Sequence, residues 1–510
     1  MFKNLLSFLH KKTNKKNNAQ KTEKDSSAKN SKVSQTLNKN VALLKKTYNY
    51  PDNVDVTFRE LTVNKTNQKA CIIFVNSLTD KKQLDAHIIK PLLQNMAEKK
   101  SVKDIITFDS VSTRQSMKDV ITDINKGNAV LLLEDSSYGY VAQCAKPKAR
   151  SVEKAENEYV LKGPKEAFNE TAYTNISLVR RRITNESFMV ESIKVSKRSN
   201  NEAFLIYLKD LANEQLVSNI RNRLKALNVE HVQSLGILEQ YIEERRKSVF
   251  PTILYTERPD RVAAFLEEGH IAILMDNSPD ALVLPATFWS FFHSPEEHYQ
   301  RFPVGNFTRL LRIFAVFTTL FSSAIYVAVT TFHQEMIPSD LLLAIAASRE
   351  KVPLPAFGEV LVMELAFELI REAGLRVPTP LGTTIGIVGA LILGQAAVEA
   401  NIISPLVIIV VALGGVSSFA VSDVNLNYSI RMIKFMFIFS AALFGFYGVT
   451  GLFSMGLTYM ASIKSFGVPF LAPMTPRYKS SMDTIVRKLL TSERLRPGYL
   501  KPKDQVKKGE

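Results

Sequence analysis

Cysteine and tryptophan are scarce in this sequence. The 510 residues include two cysteines, Cys71 and Cys144, and one tryptophan, Trp289. Both cysteines lie in apolar, strand-like runs, and neither belongs to a CxxC pair or to a cluster of cysteine and histidine. We therefore expect two buried, reduced thiols, and the sequence supports neither a disulfide framework nor a structural zinc site.

Short catalytic and nucleotide-binding motifs are also absent. The sequence contains neither GxGxxG nor the phosphate-binding loop GxxxxGK[ST]. Its seven histidines are scattered, and the pair His293 and His298, beside Glu296 and Glu297, lacks the HExxH spacing of zinc proteases. These absences make an enzyme the weakest functional class, and we predict no catalytic residue, no cofactor and no metal site.

The net charge of +16 is unevenly distributed along the chain. Residues 1–50 contain twelve lysines against two acidic residues, and the segment from Ala461 onward contains eleven lysines and arginines against four acidic residues. The region between these segments is therefore nearly neutral. Basic ends beside a neutral body fit an anionic membrane surface and argue against a nucleic-acid-binding face. Membrane lipids are thus predicted partners, and nucleic acid is not.

Two uncharged runs, Val377–Val398 and Ala400–Ser422, follow one another with only Glu399 between them. Each run exceeds the roughly 20 residues that a helix needs to cross about 30 Å of hydrocarbon. Because lipid offers the backbone no hydrogen-bond partners, we expect two helices joined by a tight turn. Small residues recur in the first run and favour either close helix packing or a pore-facing side. The candidate pore or gating positions here are Gly386, Val388, Gly389, Gly394 and Glu399.

The preceding segment, Leu354–Gly374, is apolar but carries a stripe of acidic residues. Glu364, Glu368 and Glu372 recur every four residues and therefore share one helical face. Ionisable groups at membrane depth usually face a bundle interior or an aqueous cavity, so Glu364 and Glu368 are candidates to line a cation path. The alternative is an amphipathic helix that lies on the membrane surface with its acidic side chains in water.

A helical membrane domain is predicted over residues 300–463. Its four predicted spans are about 312–332, 380–399, 403–421 and 434–459. Four spans place the basic arm and the basic cytoplasmic tail, 464–510, on one side, as the positive-inside rule favours. The acidic segment 352–373 is then re-entrant or interfacial, because a fifth crossing would separate the two basic ends. Four basic residues fall on the wrong side in this arrangement, namely Arg371, Arg376, Arg431 and Lys434.

The N-terminal half alternates strand-like and helical patterns, which predicts an α/β region with two sandwich-like subdomains, 51–150 and 151–290, after a disordered basic arm at 1–50. We expect the first sheet to be partly parallel. In the first subdomain the predicted strands are 71–75, 104–109, 129–134 and 138–144, and the predicted helices are 81–98 and 113–125. In the second subdomain the predicted strands are 188–195, 203–208, 252–256 and 271–276, and the predicted helices are 211–227 and 258–268.

An arginine run, Arg180, Arg181 and Arg182, follows the segment GPKEAF in the second subdomain. Guanidinium groups bind carboxylates and phosphates in a bidentate manner, so this run is a candidate contact for an acidic partner. The alternative is a solvated edge whose arginines form structural salt bridges within the chain.

Several of these segments resemble the A subunit of the GerA-type spore germinant receptors. They are SDLLLAIAASRE (339–350), PAFGEVLVMELAFELIREAG (355–374), GIVGALILGQAAVEA (386–400), SPLVIIVVAL (404–413) and the stretch 256–302. The resemblance covers about residues 50–475, and the segment GPKEAF departs from the family's GPREGF-like turn at Lys165 and Ala167.

The resemblance implies a subunit of the spore inner membrane that works with a transporter-like B subunit and a lipoprotein C subunit. It also implies homo-oligomerisation into a nutrient-gated ion channel, with the N-terminal domain facing the spore core. Three hypotheses remain: a ligand-gated cation channel or signal-transducing subunit, an accessory homologue that amplifies ion release without sensing nutrient, and a non-conducting membrane scaffold. Glu364→Gln would lower ion flux under the first two and leave it unchanged under the third.

Overall fold

The computed structural model describes residues 31–64, 66–94, 105–108, 111–146, 155, 156, 158, 160–376, 394–480 and 483–507. The chain divides into two compact units. Unit 1 consists of Met1–Ala155, Glu166–Leu238 and Thr256–Leu282, and unit 2 consists of Glu156–Lys165, Glu239–Tyr255 and Val283–Glu510. The two predicted subdomains therefore fall mostly within a single unit, and three stretches of the second one, 156–165, 239–255 and 283–290, group with the C-terminal helices instead.

An antiparallel sheet of five strands forms the first part of unit 1. Its strands are β1 (Val56–Thr62), β2 (Lys69–Val75), β3 (Val111–Arg114), β4 (Ala129–Leu133) and β5 (Gly139–Ala142). They are ordered β1-β2-β4-β5-β3, and all four neighbouring pairs are antiparallel, with Cys71 opposite both Glu60 and Leu132. The prediction of a parallel portion is therefore wrong for this sheet, whereas the hairpin predicted at 129–134 and 138–144 is confirmed.

Strand β2 lies between two cores, because successive side chains of a strand point to opposite faces. Its odd-numbered residues pack on one face beneath helices α1 (Leu37–Tyr48) and α3 (Met117–Asn125). Its even-numbered apolar residues pack on the other face beneath α2, which joins Lys81–Leu84 and Lys90–Gln94 through the π-helical turn Asp85–Ile89. Burial on both faces explains why this strand reads as a continuous apolar run.

Helix α1 lies within the arm that we predicted to be disordered, and the prediction is wrong there. Leu37, Val41, Leu44 and Tyr48 are buried at spacings of four, three and four residues, which places them on one helical face. The Tyr48 hydroxyl, which is also buried, donates a hydrogen bond of 3.0 Å to the side-chain oxygen of Asn125. Residues 1–30 of the predicted arm lie outside the described residues.

Two other predictions for this subdomain are wrong in part. The described residues of the predicted strand 104–109, namely 105–108, contain no strand. The helix predicted from residue 113 begins at Met117, and the residues before it form β3. Strand β1 was not predicted, because its sequence VTFRELT mixes charged and apolar residues along a partly exposed edge.

The second sheet has the strand order β6-β7-β9-β10-β8, with the β6–β7 and β7–β9 pairs antiparallel. Its strands are β6 (Phe188–Lys194), β7 (Glu202–Leu208), β8 (Leu254–Thr256), β9 (Ile271–Met275) and β10 (Ala281–Leu284). The helices of this region are α4 (Ala172–Arg180), α5 (Glu214–Lys225), α6 (Leu235–Ile242) and α7 (Pro259–Glu268). All four predicted strands and both predicted helices are confirmed, and the N-terminal region is α/β as predicted.

Unit 2 is mainly helical. Its helices are α8 (Pro295–Tyr299), α9 (Phe302–Phe332), α10 (Ser339–Arg349), α11 (Ala356–Arg376), α12 (Pro405–Ser418) and α13 (Val424–Ser462), and two short strands follow, β11 (Lys464–Ser465) and β12 (Val468–Pro469). Among the described residues, α9 and α13 are long and apolar enough to cross a membrane, and α12 is a shorter apolar helix. Most of the predicted span 380–399 lies outside the described residues, which resume at Gly394.

Helix α13 reverses direction at Gly445, whose backbone has φ +56° and ψ −141°. Near the two ends of the helix, Ser429 bonds to the carbonyl of Val249, and the ring of Tyr459 lies 6.3 Å from that of Phe250. Residues on either side of the reversal, Phe437 and Phe453, both pack against Phe321 of α9. The helix therefore consists of two antiparallel legs, 424–444 and 446–462.

Glycine is required at this reversal for two reasons. L-residues rarely adopt its backbone conformation. A methyl group at Gly445 would also lie 2.9 Å from Cβ of Phe332 and 3.0 Å from Nε2 of His333. The predicted span 434–459 includes this turn, so the segment is not one continuous helix in this structure.

Candidate functional site

The acidic stripe of α11 faces two basic residues of α13. Glu364 and Glu368 are four residues apart, and Arg431 and Lys434 are three residues apart, so each pair lies on one side of its helix. Because the first leg of α13 runs antiparallel to α11, Lys434 lies beside Glu364 and Arg431 lies beside Glu368. We call these four residues the charge ladder.

The distances within the charge ladder are those of close ion pairs. Nζ of Lys434 lies 2.6 Å from Oε2 of Glu364 and 3.3 Å from Oε1 of Glu368. Nε of Arg431 donates to Glu368 Oε2 at 3.0 Å, and its terminal nitrogen forms a second contact with the same oxygen. The hydroxyl of Ser323, on α9, donates to Glu364 Oε1 at 2.6 Å.

The ladder lies in the interior of the helical assembly. Glu364 is 0% exposed and Lys434 is 2% exposed. The apolar cluster of unit 2 includes Val327, Val360 and Ile438, each of which lies one helical turn from Ser323, Glu364 or Lys434 on its own helix. In such surroundings, removing one member of an ion pair typically costs about 3–5 kcal/mol, because the remaining charge has no counter-charge. The two carboxylates and the two cations therefore depend on one another for burial.

Arg371 joins α11 to α12 near the end of the acidic stripe. Its guanidinium group donates to the carbonyl of Gly415 at 3.1 Å and to the hydroxyl of Ser418 at 2.5 Å. The same group lies 4.4 Å from the ring centroid of Phe419 and 5.2 Å from that of Phe367. Stacking on aromatic rings in this way stabilises a guanidinium group that is partly removed from water.

Glu359 has a separate role that the spacing of the stripe did not reveal. It is 0% exposed, and its carboxylate accepts a hydrogen bond of 2.8 Å from the backbone nitrogen of Ser404. Nε of Arg349 donates to the other oxygen at 3.0 Å. Because Ser404 is the N-cap of α12, the carboxylate satisfies a free N–H group and complements the positive end of the helix dipole.

The other predicted pore positions are only partly described. Gly386, Val388 and Gly389 lie outside the described residues. Gly394 is buried, and a methyl group there would lie 3.7 Å from Ile408, which is ordinary packing distance. Glu399 is exposed and accepts a hydrogen bond of 3.0 Å from Gln395. These two residues therefore lie apart from the charge ladder.

The arginine run belongs to unit 1. Arg180 is 1% exposed, and its guanidinium group pairs with Asp55 at 3.2 Å. Since Asp55 also accepts bonds from the amide and hydroxyl of Ser77, Arg180 is part of an internal network and cannot contact a partner, so that prediction is wrong for this residue. Arg182 pairs with Glu166 at 2.8 Å and is half-buried, and Arg181 lies beside it at the end of α4.

Sequence reasoning missed the cationic half of the charge ladder, because the four-span prediction treated Arg431 and Lys434 as exceptions to the positive-inside rule and did not pair them with the acidic stripe. The signal was present, since these are the two basic residues in a largely apolar stretch, and their spacing of three residues places them on one helical face, as the spacing of four does for Glu364 and Glu368. No group of three or more His, Cys, Asp or Glu side chains that could hold a metal ion is found among the described residues.

Comparison with known proteins decides the family. The family model described as Bacillus/Clostridium GerA spore germination protein matches residues 42–499. The chain belongs to the GerA family. This GerA-family chain is 35% identical over 486 residues to spore germination protein KA of Bacillus subtilis, which covers 94% of this chain and 89% of that protein. It is also 34% identical over 481 residues to spore germination protein B1 of the same organism, covering 93% of this chain and 99% of that protein.

A solved structure also matches the GerA-family chain. It is the crystal structure of the N-terminal domain of the A subunit of the Bacillus megaterium spore germinant receptor GerK3. The sequence identity is 26% and the TM-score is 0.38, and the match covers 51% of this chain and 98% of that one.

Proposed function

We propose that this GerA-family chain is the A subunit of a nutrient germinant receptor in the spore inner membrane. In this proposal it acts in spore germination as a ligand-gated cation channel or as a signal-transducing subunit, together with a B subunit and a C subunit. The observation that carries the proposal is the charge ladder, in which Glu364 and Lys434 are buried and Glu368 and Arg431 are partly buried among apolar helices. Ionisable residues within apolar membrane helices are rare and usually mark functional elements.

The helix contacts support a membrane domain with an even number of passes. Glu359 lies beside Ser404 and Arg371 lies beside Ser418, so α11 and α12 run in the same direction. Thr319 of α9 contacts the carbonyl of Gly414, which is next to the Gly415 carbonyl that Arg371 contacts. Four residues later in α9, Ser323 contacts Glu364, which precedes Arg371 in α11. Thus α9 runs opposite to both.

The reversal at Gly445 completes this count. The first leg of α13 lies beside α9, since Lys434 and Ser323 both contact Glu364. The two run in the same direction, because each is antiparallel to α11. The second leg of α13 then returns in the opposite direction. Because α11 and α12 are parallel, the chain between them also has to return, and the predicted span 380–399 would supply that pass. Six passes would therefore bring the chain back to the side on which α9 begins.

This arrangement removes the conflict in the predicted four-span topology. Arg371 and Arg376 occupy the end of α11, and Arg431 and Lys434 occupy the start of α13. In the six-pass arrangement all four belong to the side on which α9 begins, and the basic tail follows them there. The positive-inside rule then identifies that side as the cytoplasm, which in a spore is the core. We propose that the N-terminal region faces the same compartment.

Gating would act through the charge ladder. In the described conformation Glu364 and Glu368 are neutralised by Lys434 and Arg431, and they are therefore not available to a passing cation. A rotation or shift of α11 relative to α13 would separate the pairs and turn the carboxylates toward a path. A ligand can drive such a change only by binding the open conformation more tightly than the closed one. Homo-oligomerisation would supply the remaining walls of the path.

A second candidate function, the non-conducting scaffold, is favoured by the same pairing. All the acids from Glu359 to Glu372 have cationic partners, as expected if they only hold helices together. The accessory homologue lies between these two candidates, because it would pass ions without sensing a nutrient.

The proposed function is tested with spores that lack only this chain. Release of potassium and sodium is measured after each nutrient is added. Loss of the response to one nutrient, with the others still effective, is expected for a receptor subunit. Uniform slowing for every nutrient would indicate the accessory role instead. An unchanged response to every nutrient would contradict both.

A further inference from the structure

A short segment of the tail is bound tightly to the start of α9. Arg309 is fully buried and pairs with Glu297 and with Asp483, and it also donates to the carbonyl of Thr484 at 3.2 Å. Asn306 completes the attachment, because its side chain accepts from the Arg487 amide at 2.7 Å and donates to the Arg487 carbonyl at 3.2 Å. The backbone at residue 487 is thus fixed beside the first turns of α9.

Beyond this attachment the segment exposes apolar side chains. Val486, Leu489 and Leu490 are 48%, 53% and 52% exposed, and Lys488 between them is also exposed. The neighbouring part of α9 is similar, since Phe307 is 65% exposed and Phe314 is 71% exposed. Both segments thus expose large apolar side chains near the start of α9, and exposed apolar groups of this kind mark interaction sites.

We propose that Val486, Leu489 and Leu490 form an anchor that inserts into the headgroup region of the membrane where α9 enters it, with Lys488 on anionic lipid headgroups. This inference rests on the proposed membrane placement of α9. It assigns the tail segment a lipid-binding role that a merely solvated basic tail would not have.

Charge selects a bilayer rather than a second copy of the chain. Lys488, within the anchor, and Arg494, four residues after it, are exposed. Anionic lipids attract juxtamembrane lysine and arginine, whereas two copies of the same basic surface repel one another. Because Asn306 and Arg309 fix the segment at the start of α9, its apolar side chains lie at the depth at which that helix leaves the headgroups.

The test places nitroxide spin labels on the full chain in lipid nanodiscs. The variants are Leu489→Cys in the anchor, Ser492→Cys as an exposed polar control three residues later, and Phe314→Cys within α9. Burial raises the pKa of Cys71 to about 12 and that of Cys144 to about 11, so neither native thiol competes for the label. Nanodiscs of phosphatidylcholine alone are compared with nanodiscs containing equal amounts of phosphatidylcholine and phosphatidylglycerol.

We expect the label at 489 to lie roughly 5–10 Å below the lipid phosphates and to collide with oxygen rather than with the aqueous nickel reagent. The label at 492 should show the reverse preference. Removing phosphatidylglycerol should move the label at 489 toward water. A label at 489 that is as accessible to nickel as the one at 492, while the label at 314 lies in hydrocarbon, would overturn the anchor alone.

Two further outcomes are informative. Labels at 489 on two copies that lie in direct contact, with strong short-range dipolar broadening and shielding from both oxygen and nickel, would show that a second copy covers the patch and would overturn the inference. A label at 314 in water would contradict the proposed membrane placement itself.

Discussion

Each unit contains a buried ion pair in which a carboxylate also accepts a hydrogen bond from a serine hydroxyl. The two pairs differ in how many carboxylates the cation contacts. In unit 1, Asp55 pairs with Arg180 and accepts a bond of 2.8 Å from the hydroxyl of Ser77. In unit 2, Glu364 pairs with Lys434 and accepts a bond of 2.6 Å from the hydroxyl of Ser323. The first pair has one anion and one cation, whereas the second is part of a ladder in which Lys434 contacts two carboxylates.

This difference separates a fixed contact from an exchangeable one. If Arg180 moves away, Asp55 loses its ionic partner, and the cost of an uncompensated buried charge opposes the movement. If α11 shifts by part of a turn, Lys434 can pass from Glu364 to Glu368 while a counter-charge remains within reach. A ladder with two acids on one helix and two cations on the other can therefore change its pairing at lower cost, as the proposed gating movement would require.

The largest effect is expected for Lys434→Met. The change leaves Glu364 buried with only the Ser323 hydroxyl, so we expect a loss of about 3–5 kcal/mol of stability. Thermal unfolding of the full chain in mild detergent measures the loss. The double variant Glu364→Gln with Lys434→Met should recover most of it. A single variant as stable as the original protein would contradict the buried ladder.

Arg180→Met should have a somewhat smaller effect in unit 1. Asp55 then keeps two hydrogen bonds from Ser77, so we expect a loss near the lower limit for a broken buried pair, about 3 kcal/mol. The matched control is Arg182→Met, because Arg182 pairs with Glu166 at a partly exposed site. If the control destabilised the protein as much as Arg180→Met, burial would not explain the contribution of the Asp55–Arg180 pair to stability.

Acidification should destabilise unit 1 through a buried histidine. Burial lowers the pKa of His270 to about 4. Since the ordinary value of about 6.5 applies in the unfolded chain, the unfolded state binds the proton more readily, and stability falls as the pH drops below 6.5. The loss should reach about 2 kcal/mol by pH 5, because each pKa unit corresponds to about 1.4 kcal/mol.

The histidine effect is measured by unfolding the full chain at a series of pH values. His270→Phe should flatten the dependence between pH 6.5 and 5, whereas His231→Gln, at an exposed site, should leave it intact. An unchanged slope in His270→Phe would show that other groups cause it.

A comparable effect is expected for Gly445→Ala. The backbone conformation at this position, φ +56° and ψ −141°, is nearly restricted to glycine and costs an L-residue about 1–3 kcal/mol, and the added methyl group meets Phe332. Gly451→Ala is the control, since a methyl group there meets no atom within 4 Å. Stability equal to that of the control would argue against the reversal.

Sequence patterns identified the strands with continuous apolar runs, such as β2, because burial on both faces excludes polar residues. They missed α1, whose exposed face is rich in lysine and asparagine and conceals the buried Leu37, Val41, Leu44 and Tyr48. They also missed the reversal at Gly445, because an uncharged run has the same composition whether it continues or turns back. The acidic half of the charge ladder was identified from its spacing, but its cationic half depends on how two distant helices pack.

The most direct test of the central claim is nutrient-triggered potassium release from spores carrying Glu364→Gln together with Lys434→Met. The double change removes a carboxylate and a cation together, so the protein should remain at its normal level. Glu372→Gln, which changes an exposed residue on the same helix, is the matched control. If the ladder gates a cation path, the double variant should release potassium more slowly than the control at equal protein level. Equal release by both would contradict the claim and favour the scaffold.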